Sequence, residues 1–232
     1  MAERVGSPQG ASEEEGEDEE KIIFKLFVVS FNQPYQVIGF HSCDREVGLR
    51  IVSGRDHLMP SNNKWDWLGP GIYFWEDNPF RALDYAVDCA KKKQKFNGEI
   101  KTPFVIGAII ELGNCLNLVE PNATHIIKLA HKLVKDEYGS AGKKMPVNNG
   151  ANRSLDCAVI RQVHLTNSKY GITPYDTIRC PFHEGEAIYE QANFTSGLHI
   201  EICVVDPAMI KGYFLPQPLE NFNPWLHEDF HR

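Results

Sequence analysis

The order of apolar runs and helical stretches limits this chain most. Seven short segments read as strands: Ile22–Ser30, Tyr35–Phe40, Ile72–Trp75, Phe104–Ile110, Thr177–Cys180, Ala187–Tyr189 and His199–Val205. Four stretches read as helices. Glu46–Ser53 is one, closed by Gly54. A second opens at Asn78-Pro79, with Asn as cap and Pro in the first turn. A third is capped by Asn122 and runs to about Glu137, and the fourth covers Ser154–Leu165. Asn32-Gln33-Pro34 breaks the first two strands apart, and Gly69-Pro70-Gly71 is a turn into the third. Pro60–Trp67 and Gly139–Gly150 read as loops. Strand and helix do not alternate regularly, so the pattern predicts an α+β domain with an antiparallel or mixed sheet, not a doubly wound one.

Charge divides the chain into two parts. Residues 1–20 hold eight acids and one base, which equals the whole chain's formal charge of −7; the rest balances 23 acids against 23 bases. The first 20 residues have no aromatic side chain and too little apolar surface to order themselves, so a disordered tail is expected there. A single domain is expected over 21–232. A neutral domain carries no electrostatic footprint for nonspecific nucleic-acid binding. Lys91, Lys92, Lys93 and Lys95 follow the second helix, where cations complement the helix dipole.

The six cysteines form no C-x-x-C pair, so no structural zinc site is expected, and buried reduced thiols are. No run of about 18 apolar residues is present, so no membrane association is expected. Met1-Ala2-Glu3-Arg4 leads into no apolar segment. Together these predict an intracellular protein, cytoplasmic or nuclear.

Three segments carry candidate chemistry. Gly39-Phe40-His41-Ser42 ends a strand on a histidine. Gly69-Pro70-Gly71-Ile72-Tyr73-Phe74-Trp75 leads into the helix holding Arg81-Ala82-Leu83-Asp84-Tyr85. Ser196-Gly197-Leu198-His199-Ile200-Glu201-Ile202-Cys203-Val204-Val205-Asp206 comes late, after the loop Glu184-Gly185-Glu186. Taken singly, each has an ordinary structural reading. His41 can end a strand, Tyr73 can pack a core, and Glu184, Glu186 and Glu201 can sit in water. Strand alternation puts His199, Glu201 and Cys203 on one face.

In this order the segments resemble the ADP-ribosyltransferases with a His-Tyr-Glu triad, the type shared by poly(ADP-ribose) polymerases and diphtheria-like toxins. The resemblance spans roughly His41 to Asp206. Gly71-Ile72-Tyr73-Phe74 and Glu201-Ile202-Cys203-Val204-Val205-Asp206 match in most detail. It implies split antiparallel or mixed sheets with flanking helices, and NAD⁺ as a substrate; no cluster in the sequence implies a metal. It implies that His41 bonds the adenosine-side ribose and that the Ser42 backbone takes the nicotinamide carboxamide. Gly71 would line the cofactor, and Tyr73 and Tyr85 would stack on the nicotinamide. Glu201 would bond the 2′-hydroxyl of the nicotinamide ribose, where a carboxylate stabilises the cation left as nicotinamide departs.

The sequence departs from that pattern at three places. Ser42 stands where the family has glycine, Arg81 stands where it has a serine contacting the carboxamide, and the Tyr73-to-Tyr85 spacing is one residue longer. Glu184-Gly185-Glu186 also resembles the Glu-x-Glu of arginine-specific toxins, which would make Glu186 the catalytic carboxylate. With Glu201 in that role, Glu184 and Glu186 would orient an acceptor. The resemblance thus implies a mono-ADP-ribosyltransferase whose acceptor is a macromolecule, protein or nucleic acid, with a small molecule also open. A tRNA 2′-phosphotransferase-like enzyme, an NAD⁺ glycohydrolase and an inactive ADP-ribose-binding module are the alternatives.

Overall fold

The computed structural model describes residues 32–93 and 98–226. The acidic tail, the predicted strand Ile22–Ser30 and Lys95 lie outside the described residues.

The chain opens with β1 (Asn32–Asp44), followed at once by α1 (Arg45–Val52). The Asp44 carboxylate accepts from the Glu46 amide and caps that helix. β2 (Ile72–Glu76) leads into α2 (Pro79–Lys92). As the sequence predicts, Asn78 caps α2, accepting from the Arg81 amide, with Pro79 in the first turn. β3 (Pro103–Asn117) is the longest strand. Then come α3 (Pro121–Ser140), the two-residue strands β4 (Asn148–Asn149) and β5 (Asn152–Arg153), and α4 (Ser154–Tyr170). β6 (Thr177–Phe182), β7 (His199–Val204), β8 (Ile210–Phe214) and the short α5 (Leu219–Phe222) complete it.

The main sheet is mixed, and its pairings close a circuit. β1 pairs β2, β2 pairs β7, β7 pairs β6, β6 pairs β3, and β3 returns to β1. Only β3–β6 is parallel. β3 makes this possible by changing partners. Residues Pro103–Asn114 pair β1, whereas Cys115–Asn117 pair β6. One core, built on Phe74, Phe104, Ile106, Ile110 and Ile202, lies on one face. A second lies on the other, where Leu116, Ile178 and Cys203 pack against α3 and α4 through Ile126, Ala130, Ile160 and Val163. This is an α+β architecture, and no helix among the described residues is long and apolar enough to cross a membrane.

Several expectations need correcting. β1 does not break at Pro34. It runs through, with a register irregularity between Gln33 and Gln36 that absorbs the proline. His41 is accordingly inside β1, because His41, Ser42 and Cys43 keep pairing with Ile106, Val105 and Phe104. Ala187–Tyr189 is not a strand. Ala187 forms one isolated bridge with Thr195, and no neighbouring strand offers more. α3 has Glu120 rather than Asn122 at its N-cap position, without a side-chain cap bond, with Pro121 in its first turn, and it runs on to Ser140. α4 continues past Leu165 to Tyr170, where Gly171 takes the left-handed conformation that ends it. β4, β5, β8 and α5 were not foreseen, and Gly139–Gly150, read as a loop, takes in the end of α3 and the strand β4.

All six cysteines are free and five are buried.

Candidate active site

The ladders bring the three candidate segments onto neighbouring strands. β2 lies between β1 and β7. Trp75 is paired with Phe40 on one side and with Glu201 on the other, and Glu201 is in turn paired with Cys180 of β6. One row of side chains therefore crosses four strands. Tyr73 and Cys203 form the next row on the same face.

The β1–β2 ladder holds only two pairs, Gly39–Glu76 and Phe40–Trp75. At the next residue β1 leaves β2 while staying on β3. His41 sits at that split, its ring 5.7 Å from Phe74 and one residue out of step with the row of Glu201. Its Nδ1 donates to the Tyr73 carbonyl at 2.8 Å. Burial pushes the His41 ring below its ordinary value of 6.5, and the Tyr73 hydrogen bond recovers only part of the loss. The ring is thus neutral at physiological pH, with Nε2 as an acceptor.

Tyr73 is committed to the Gly-Pro-Gly turn. Its hydroxyl donates to the Gly69 carbonyl at 2.6 Å and accepts from the Leu68 amide at 2.9 Å. Burial raises its pKa far out of reach. Gly71 is required by packing, since a Cβ there would run into Cys203 Sγ and the Val204 carbonyl. Ser42 is buried, and its hydroxyl donates to the Ala82 carbonyl of α2, which ties β1 to that helix. Tyr85 of α2 is half-exposed, with its ring 5.2 Å from that of Trp75.

Glu201 is the most buried carboxylate of the cluster, with 12% of its side chain exposed. Burial raises its pKa, and the hydrogen bond to His199 opposes the rise. The His199 side chain is fully buried. Its Nδ1 donates to the Gly197 carbonyl at 2.7 Å, and its Nε2 lies 3.3 Å from Glu201 Oε1. Trp67 and Phe182 wall it in, with their rings 6.5 and 5.9 Å away. Burial alone would lower the His199 pKa, but Glu201 and the Gly197 carbonyl together raise it.

Arg81 and Glu184 close the cluster at the solvent side. Arg81 Nη2 meets Glu184 Oε2 at 2.5 Å, and Glu184 Oε2 is 3.9 Å from His199 Nδ1. The Arg81 guanidinium also lies 5.8 Å from the Trp75 ring centre. Glu186 stays exposed, its amide bonded to Ser196 Oγ at 3.3 Å. Burial first, then the Glu201 charge, pushes the Cys180 thiol up to about 12, so it is no thiolate nucleophile.

A separate cavity of about 360 Å³, lined by His57, Leu58, Ile72, Pro207 and Tyr213 among others, includes none of these cluster residues.

Two side chains, Trp75 and His199, escape sequence reasoning as site residues, and so does the contact between Arg81 and Glu184. Trp75 reads as core, and His199 as a face-mate of Glu201 without a role; the His-x-Glu spacing was the available signal. The Arg81–Glu184 pair joins residues 103 apart, and no local pattern announces it. No family model matches the sequence, and no curated protein or solved structure matches it either.

Proposed function

We propose that the protein is an NAD⁺-dependent ADP-ribosyltransferase, built on the split-sheet fold of that family, which moves a single ADP-ribose unit to a macromolecular acceptor and releases nicotinamide. One observation carries the reading. His41, Tyr73 and Glu201 stand on three consecutive strands, β1, β2 and β7, and β1 parts from β2 at His41. A neutral His41 with Nε2 free to accept suits a ribose hydroxyl. Glu201, desolvated between Trp75 and Cys180, suits the 2′-hydroxyl of the nicotinamide ribose.

The chemistry then follows from charge. The bond from C1′ to the nicotinamide nitrogen breaks, its electron pair leaves with the ring, and the ribose becomes cationic. A carboxylate fixed in a low-dielectric site favours that state over the ground state. Tyr73 and Tyr85 are the stacking surfaces for the leaving ring. Glu184 and Glu186, on the loop before β7, would orient the acceptor.

The test is nicotinamide release from NAD⁺, with and without protein and nucleic-acid acceptors. Release that depends on acceptor supports the transferase. Release to water alone makes the protein a glycohydrolase. Neither binding nor release of NAD⁺ removes the enzyme reading, and ADP-ribose binding in that case identifies an inactive binding module.

A further inference from the structure

We infer that His199 and Glu201 hold one proton between them, and that His199, as a positioning residue, decides the pH at which Glu201 becomes a free carboxylate. The inference rests on the reading of Glu201 as the catalytic carboxylate.

The tautomer is fixed by geometry. The Gly197 carbonyl can only accept, so the Nδ1 atom that meets it at 2.7 Å carries a hydrogen. Nε2 therefore holds either a lone pair or a second proton. It faces Glu201 Oε1 at 3.3 Å, inside a site where the imidazole is wholly buried. With no proton on either atom, two lone pairs would oppose each other out of water. The closed contact thus contains one proton, as imidazolium with carboxylate or as imidazole with carboxylic acid. Both groups titrate above their ordinary values, as a shared proton requires.

The surroundings leave this pair to set its own charge. Cys180 and Cys203 on β6 and β7, Tyr73 on β2 and Tyr85 on α2 face Glu201. All have pKa values raised by burial, so they stay neutral. Trp67 and Phe182 against His199 are uncharged. The charged groups facing the pair are Arg81 and Glu184, which are bonded to each other.

The consequence is an acid limb in the activity. While the proton is held, either Glu201 is neutral or its charge is answered by His199. The oxocarbenium-like ribose meets an uncompensated carboxylate only after the proton leaves. Nicotinamide release should therefore rise with pH across the region above 6.5. A glutamine at position 199 can still donate an amide hydrogen to Glu201, but it binds no proton of its own.

The experiment has two arms. The pH profile of nicotinamide release is measured for the wild type and His199→Gln, and the rise should move to lower pH in the variant. The His199 ring is also titrated by NMR in the wild type and in the near-isosteric Glu201→Gln, where its midpoint should fall. Release with identical profiles, or a His199 midpoint unchanged by Glu201→Gln, overturns the shared proton. Should His199→Gln fail to fold, the titration decides alone. No nicotinamide release at any pH removes the transferase reading instead, and the titration still decides the proton.

Discussion

Trp75 stands directly opposite Glu201 in the β2–β7 ladder, and its buried indole Nε1 has no hydrogen-bond partner. The ring is held by packing, among Phe40, Ala82 and Val105, with Tyr85 alongside. Side-chain shape, rather than a hydrogen bond, fixes the wall beside the carboxylate.

Trp75→Phe should therefore cost clearly less than truncation to alanine, about 2 kcal/mol or less, because a small cavity opens but no hydrogen bond is lost with the indole. Trp75→Ala should cost about 3–5 kcal/mol, the usual result of emptying an aromatic core site. Urea denaturation of both variants checks the contrast. A Trp75→Phe loss as large as that of Trp75→Ala would mean that the indole N–H is bonded after all.

Two arginine–glutamate pairs should respond differently to removal of the arginine. Arg179 of β6 reaches across β7 to Glu76 of β2, with Nε–Oε2 at 2.5 Å and Nη2–Oε1 at 2.7 Å. Both side chains are under one-fifth exposed. Arg179→Met strands a poorly hydrated carboxylate and should cost about 3 kcal/mol or more. Arg81 and Glu184 are each more than one-quarter exposed, so Arg81→Met should cost only about 1 kcal/mol or less. Equal losses in chemical denaturation would refute the ranking.

What the sequence made legible was local. The Asn78-Pro79 start of α2 needed no distant partner and is found as read. What it hid was set by pairing. β3 extends past its apolar run because Gly113, in the left-handed region, lets the chain turn onto a new neighbour. Asp176 then accepts from the Asn114 amide at 2.7 Å. Ala187–Tyr189 has strand-like residues but finds one bridge partner, so propensity came to nothing. The strand that carries Glu201 was readable from pattern. The ties of Glu201 to His199 and of Glu184 to Arg81 depend on side chains meeting in three dimensions.

His41 should give stability a sign opposite to that of His199. Its folded pKa is lowered by burial, so the unfolded chain binds more protons just below pH 6.5. Its contribution is whole above 6.5 and is lost as pH falls towards the folded value. His199, with a raised pKa, contributes below 6.5 and loses that contribution as pH rises through its folded value. His41→Gln should therefore flatten the loss of stability on the acid side of 6.5. Urea midpoints across pH 5–8 test this, and an unchanged acid-side slope in the variant would contradict a neutral, buried His41.

The three carboxylates Glu184, Glu186 and Glu201 should respond differently to loss of charge. Glu201→Gln keeps shape and removes charge from a side chain only 12% exposed, so its effect on NAD⁺ binding should be small. Turnover should fall by roughly 10²–10³-fold, the usual scale for one electrostatic group taken from a reaction centre. Glu186→Gln should leave nicotinamide release intact, because Glu186 is exposed on the loop before β7, outside the row of Trp75 and Glu201. Its effect should instead be on transfer to acceptor. Glu184→Gln should also spare release, while weakening the Arg81 contact that fastens this loop to α2. Steady-state nicotinamide release and acceptor labelling, measured side by side, distinguish these outcomes. A collapse of release in Glu186→Gln, with Glu201→Gln near normal, would transfer the catalytic role to the Glu-x-Glu loop.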